Sequence, residues 1–175
     1  VWDNFPAPYF NGKLYRSNDH VACISKVTHE IVKEVAPQVK SSYMPHAVNP
    51  SIFKPSVTSE EKIEVTKIRE NILAASKEKF DNPKKKIFFW NSRNARRKQS
   101  GTLIWWFKEL LDEVGHDKAV LLMHTDPRDP HGQDLPHIIE HLGVADGQVL
   151  ISSNKVAPEG LAAMYGASDF TIGIS

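Results

Sequence analysis

From residue 86 onward the chain alternates short apolar runs with longer stretches of helical period, and few folds accept that pattern. The runs are 86–91, 119–124, 148–152 and 170–174, five or six residues each. A strand with one face in water alternates apolar and polar residues. These runs do not, so each predicts a strand covered on both faces. Between them lie helices at 100–114, 133–142 and 158–167. In the first, Leu103, Ile104, Phe107, Leu110, Leu111 and Val114 share one face. A helix crossover returns the chain parallel to the previous strand. The order β-α-β-α-β-α-β therefore predicts an α/β fold with a doubly wound parallel sheet.

Upstream, residues 1–18 show no clear period, with one helical turn expected near 11–16. A buried strand is expected at 20–25. Ser25 then caps a helix marked by Val27, Ile31, Val32 and Val35, which Pro37 ends. A second short strand at 42–44 completes one β-α-β unit. Residues 45–55 hold three prolines in eleven positions, a stiff extended connector. The boundary is placed there, giving domains 1–50 and 51–175. Thr58 and Glu61 form a capping-box pattern. The helix they open is expected to reach about residue 79, burying Ile63, Ile68, Ile72 and Phe80.

The charge is uneven. Net charge is +1, yet residues 82–98 carry seven Lys or Arg and no acid. This basic turn follows a predicted strand and precedes a predicted helix. In doubly wound sheets, ligands bind beyond the carboxyl ends of the strands. A helix N-terminus offers unpaired N–H groups and a positive dipole end to an anion. Arg93, just past Ser92 at the strand end, and Lys98, near the helix start, are the candidate phosphate ligands. The Arg offers a planar fork and the Lys a point charge. Arg96 and Arg97 read as solvated.

Other strand ends supply further candidates. His124 and Thr125 open a polar loop rich in Asp, His and Pro. Its spacing matches no metal signature, so it reads as cleft lining, with a residue near Gln133 capping the next helix. Ser153, Asn154, Lys155 and Glu159 follow the next strand. They read equally as the edge of a nucleobase site or as an ordinary loop before Pro158. Trp105 falls on the polar side of its helix, beside Lys108 and Asp112.

Several function classes are excluded or weakened. There is no G-x-G-x-x-G after a strand, no G-x-x-x-x-G-K-[ST] and no G-x-S-x-G. Cys23 is the one cysteine. It permits no internal disulfide, sits in an apolar run as a packing residue, and predicts a reducing, cytoplasmic setting. No apolar run reaches the roughly 20 residues that cross a bilayer, so no integral membrane segment is expected. Nucleic-acid binding through 84–98 is disfavoured, because Phe88, Phe89 and Trp90 lie in a buried strand and cannot stack on bases.

The ordered motifs resemble a known family. They are Ser92-Arg93 with Lys98 five positions later; Leu122-Met123-His124-Thr125-Asp126-Pro127 with Gly132 and Asp134-Leu135; and Val149-Leu150-Ile151 with the stretch from Glu159 to Asp169. Cys23-Ile24-Ser25 and the stretch from Pro45 to Pro55 extend the likeness upstream. Together they resemble the retaining GT-B glycosyltransferases, specifically those like glycosyltransferase family 4. The resemblance implies a Rossmann-like donor-binding domain at 51–175, preceded by the end of an acceptor-side domain at 1–50. It implies a hexosyltransferase-type enzyme that uses a nucleotide sugar and an unidentified glycan, lipid or protein acceptor. Arg93 and Lys98 would be its diphosphate clamp. Neither metal nor further cofactor is implied.

In that family two glutamates eight positions apart follow the strand that matches 170–175. The expectation is thus a truncated chain, inactive alone, whose exposed sheet edge favours association. The rival expectation is a non-catalytic module that binds a nucleotide or a phosphosugar.

Overall fold

The computed structural model describes residues 11–76, 82 and 84–174. Expectations for residues 1–10, Phe80 and Ser175, and for the helix end near 79, fall outside the described residues. The chain divides into two compact units, residues 1–49 and 50–175.

In the first unit, α1 (Gly12–Arg16) precedes β1 (His20–Cys23), α2 (Lys26–Val35) and β2 (Lys40–Tyr43). The two strands pair in parallel, His20 opposite Lys40 and Cys23 opposite Tyr43. Ser25 caps α2 by accepting from the Thr28 N–H at 3.0 Å. Tyr15, Cys23, Val32, Val35 and Ala36 form the buried cluster. Burial also raises the Cys23 thiol pKa. One strand and one residue expected to be buried are not. β1 is largely exposed, because a two-stranded sheet covers little of either strand. Val27 is exposed, lying in the first turn of α2, where the helix has only just left the end of β1.

The second unit holds α3 (Ser59–Ala75), β3 (Lys86–Asn91), α4 (Ser100–Val114), β4 (Ala119–His124), α5 (Leu135–His141), β5 (Val149–Ser152), α6 (Pro158–Ala167) and β6 (Phe170–Thr171). Thr58 and Glu61 form the capping box at the start of α3. All strand pairs are parallel, in the order β5-β4-β3-β6. From β3 the chain steps outward to β4 and β5, then crosses back through α6 to the other side of β3. The direction of winding therefore reverses between β3 and β6. That reversal is the topological switch point, where the crevice of such sheets opens.

Helices cover both faces. On one, Trp90, Leu121 and Met123 pack with Leu103, Ile104, Phe107 and Leu111 of α4 and with Leu135. On the other, Ile87, Phe89, Val120 and Leu122 pack with Ile72 of α3 and Ala167 of α6. Each such large apolar side chain contributes about 1.5–3 kcal/mol by leaving water. The central strands β3 and β4 match the expected boundaries and burial.

The periphery departs from expectation. β5 is only half-buried and β6 is a two-residue exposed pairing, with Phe170 at 51% exposure, because both lie at the sheet edges. Ile63 is exposed. At 100° per residue it lies roughly opposite Ile72, and Val65 and Ile68 take the inner face instead. Val114, the last residue of α4, is exposed at the helix end. α5 begins two residues later than expected, capped by Asp134, whose Oδ1 accepts from the His137 N–H at 3.1 Å.

At the opposite end of β3 from the basic turn, Asp169 ties the sheet edge together. Its carboxylate accepts from Arg69 Nη1 (2.8 Å), Lys86 Nζ (3.0 Å) and the Ile87 N–H (2.9 Å).

Candidate functional site

The basic turn lies between β3 and α4, at the switch point. β3 and β4 end level, Asn91 opposite His124, so Ser92–Arg93 and Thr125 leave the sheet side by side. The Ile172 N–H donates to the Phe89 carbonyl at 2.8 Å, which brings the chain after β6 along the other flank. Asn91 Nδ2 also reaches the Tyr165 hydroxyl of α6 at 3.2 Å. The turn closes through one 3₁₀ turn, Arg96–Lys98, and Gln99 in the left-handed region at φ 47°.

Arg93 is 63% exposed and already engaged. Its Nε donates to Asp129 Oδ2 at 2.6 Å, and its Nη2 donates to Asp129 Oδ1 at 3.1 Å. Nη2 also meets His131 Nδ1 at 3.0 Å. A guanidinium can only donate, so that contact has Nδ1 as acceptor. Arg93 and the His131 backbone N–H hold the Asp129 carboxyl far below the usual carboxylate range. Lys98, half-buried at the end of the 3₁₀ turn, has no side-chain partner among the described residues.

Beneath the turn lies a polar network that the sequence did not reveal. Asn94 is fully buried. Its Nδ2 donates to the Gln133 carbonyl at 2.7 Å, while its Oδ1 accepts from Ser100 Oγ at 2.6 Å and the Gln133 N–H at 3.2 Å. Gln133 Oε1 in turn accepts from the Gly101 N–H at 2.8 Å. One of the first N–H groups of α4, that of Gly101, is therefore already satisfied by a side chain. Gly132 lies so close that a Cβ there would sit 1.9 Å from the Asn94 carbonyl oxygen. The loop after β4 and the basic turn after β3 are thus locked face to face. The one hint in sequence was Gly132 itself, in a loop beside a buried strand end.

The remaining candidates divide by strand. His124 Nδ1 lies 3.0 Å from Ser152 Oγ, across the β4–β5 register. Thr125 is 7% exposed, and its Oγ1 has no hydrogen-bond partner among the described residues. Ser153, Asn154 and Lys155 are exposed beyond β5, two strands and so about 10 Å from the end of β3. Glu159 lies elsewhere. It lines a cleft of about 320 Å³ with Lys54, Glu61 and Glu64. There Lys54 and the Val57 and Thr58 N–H groups bring the Glu61 pKa down to about 2. The acids of the loop after β4 have structural partners: Asp126 holds the Arg128 N–H, Asp129 holds Arg93, and Asp134 caps α5. No described helix is long and apolar enough to cross a membrane.

The arrangement is a Rossmann-like α/β sheet of the kind found in GT-B proteins, with its basic turn at the switch point. No family model and no curated protein matches the chain. Solved structures do match. A glycosyltransferase from Rickettsia africae superimposes with a TM-score of 0.62 at 23% identity, over 99% of this chain and 42% of its own. The α,α-trehalose 6-phosphate synthase of Burkholderia multivorans gives 0.62 at 11% identity, over 91% and 39%. A trehalose-6-phosphate protein from E. coli, bound with UDP-2-fluoro glucose, gives 0.60 at 9%, over 99% and 43%. At these identities the likeness establishes the fold. The chain spans about two-fifths of the length of each of these structures.

Proposed function

We propose that this chain carries the donor side of a nucleotide-sugar-dependent glycosyltransferase of the retaining, hexosyl-transferring kind. Arg93 and Lys98 hold the donor diphosphate and stabilise negative charge as it leaves with the nucleoside. The observation that carries the reading is position: both cations sit on the turn leaving the central strand β3 at the switch point of the sheet. The fold supports it, because structures with this architecture include a glycosyltransferase and a protein bound with UDP-2-fluoro glucose.

The two cations supply the charge that a divalent metal supplies elsewhere, so the transfer needs no metal or further cofactor. Ser92, His124 and Thr125 edge the same crevice. Ser153, Asn154 and Lys155 reach only an extended nucleoside. Glu159 faces a separate cleft, so its part as a donor contact requires the ligand to extend over the start of α6. The acceptor binds the segment that includes residues 1–49, and the working compartment is the cytoplasm.

Calorimetric titration with UDP-, GDP- and ADP-sugars tests the reading. One of them is expected to bind, with Arg93→Ala and Lys98→Ala each weakening binding at least tenfold, as loss of one charge-assisted contact does. Absence of binding by every donor, with Arg93→Ala indistinguishable from the parent, would sink it.

A further inference from the structure

We propose that Asp129 is a built-in competitor for the ligand of Arg93, a carboxylate seated where a phosphate would dock, and that it sets the affinity of the site. This rests on the reading of Arg93 as a phosphate ligand.

The geometry of the guanidinium carries the argument. An Arg has five N–H donors arranged as two forked edges. Asp129 takes the side edge through Nε and Nη2, at 2.6 and 3.1 Å. His131 Nδ1 takes the second hydrogen of Nη2 at 3.0 Å, which breaks the end edge. Only Nη1 remains, and it cannot form a fork alone. A phosphate that needs two-pronged contact must therefore displace Asp129 or His131.

Asp129 cannot easily retreat. Its Oδ1 also accepts from the His131 N–H at 2.9 Å, and its carbonyl accepts from the Gly132 N–H at 2.8 Å. The His131 carbonyl in turn accepts from the Arg96 N–H at 3.2 Å. Gly132 is pressed against Asn94, so the whole loop is fixed to the turn it faces. Arg93, 63% exposed against 10% for Asp129, is the member free to move. Exchange thus proceeds by rotation of Arg93 from a fixed carboxylate to an incoming oxyanion. Solvent reaches the pair from the Arg93 side, and its screening lowers the cost of such exchange. Asp129 also leaves a full negative charge beside the bound phosphates, which opposes them by direct repulsion.

The test is a pyrophosphate titration of the full chain, with its parent sequence, Asp129→Asn, Arg93→Ala and the double variant. Asn keeps the oxygen that caps the His131 N–H and removes the charge. Asp129→Ser repeats the test should the amide distort the loop. Asp129→Asn is expected to bind pyrophosphate about tenfold more tightly, with the gain abolished by adding Arg93→Ala. Should Asp129→Asn and Asp129→Ser bind as the parent does or more weakly, while Arg93→Ala still weakens binding, Asp129 orients Arg93 and the competitor reading is wrong. Should Arg93→Ala change nothing in either background, Arg93 is no phosphate ligand and both readings fall together.

Discussion

Replacing Asn94 should damage this protein more than replacing any of its exposed cations. The side chain is fully buried and makes three hydrogen bonds, two of them to the main chain of Gln133. In Asn94→Ala the partly buried Gln133 N–H and C=O lose their partners. Each stranded group costs about 1–3 kcal/mol. Ser100 loses its 2.6 Å acceptor but keeps a 3.4 Å contact to Gln133 Oε1, so its share is smaller. The sum is about 3 kcal/mol, which for a unit of this size lowers Tm by roughly 10 °C.

Urea unfolding followed by circular dichroism measures the loss directly, as a lower midpoint at unchanged slope. Asn94→Asp sharpens the test. At neutral pH it sets a carboxylate oxygen 2.7 Å from the Gln133 carbonyl, where Nδ2 was. Burial and repulsion raise the folded pKa of that new carboxyl above its unfolded value of about 3.9. Its penalty relative to the parent is therefore full at neutral pH and shrinks as the pH falls through the folded pKa, because the protonated form can donate to that carbonyl. If Asn94→Ala unfolds within about 0.5 kcal/mol of the parent, the network does not hold the two loops and the reasoning fails.

Two more substitutions probe the same unit. Gly132→Ala places a methyl 1.9 Å from the Asn94 carbonyl oxygen and must push the loops apart. It should cost about 2 kcal/mol or more in thermal unfolding and weaken nucleotide binding with it. Asp169 governs an acid-sensitive contact. Its burial raises the carboxyl pKa, but the Ile87 N–H, Lys86 and Arg69 outweigh that and leave it lowered. A lowered folded pKa gives stability that is present above about pH 4 and lost as the pH falls through the folded value. Asp169→Asn should therefore flatten the fall in stability below pH 4, and an unchanged acid profile would refute the assignment.

The sequence alone determined the layered α/β architecture, the central strands and the helix starts. Those features are local. Residues 87–90 and 119–123 are apolar throughout because both their faces are covered, and Ser25, Thr58 and Pro158 fix helix starts within one turn. Strand position in the sheet is not local, and the residues of a strand do not report it. β5 and β6 read as buried from their apolar residues, but they are edge strands, and the order β5-β4-β3-β6 is set by crossovers that composition does not encode. The candidate site divides in the same way. Arg93 and Lys98 were legible as an excess of charge after an apolar run. The partners of that turn and of the helix start lie 32 to 39 residues away in sequence, so only the tertiary structure could pair Arg93 with Asp129 or bury Asn94 against Gln133. The physical reason is that two parallel strand ends, level in register, bring two loops face to face, and neither loop signals the other in its own residues.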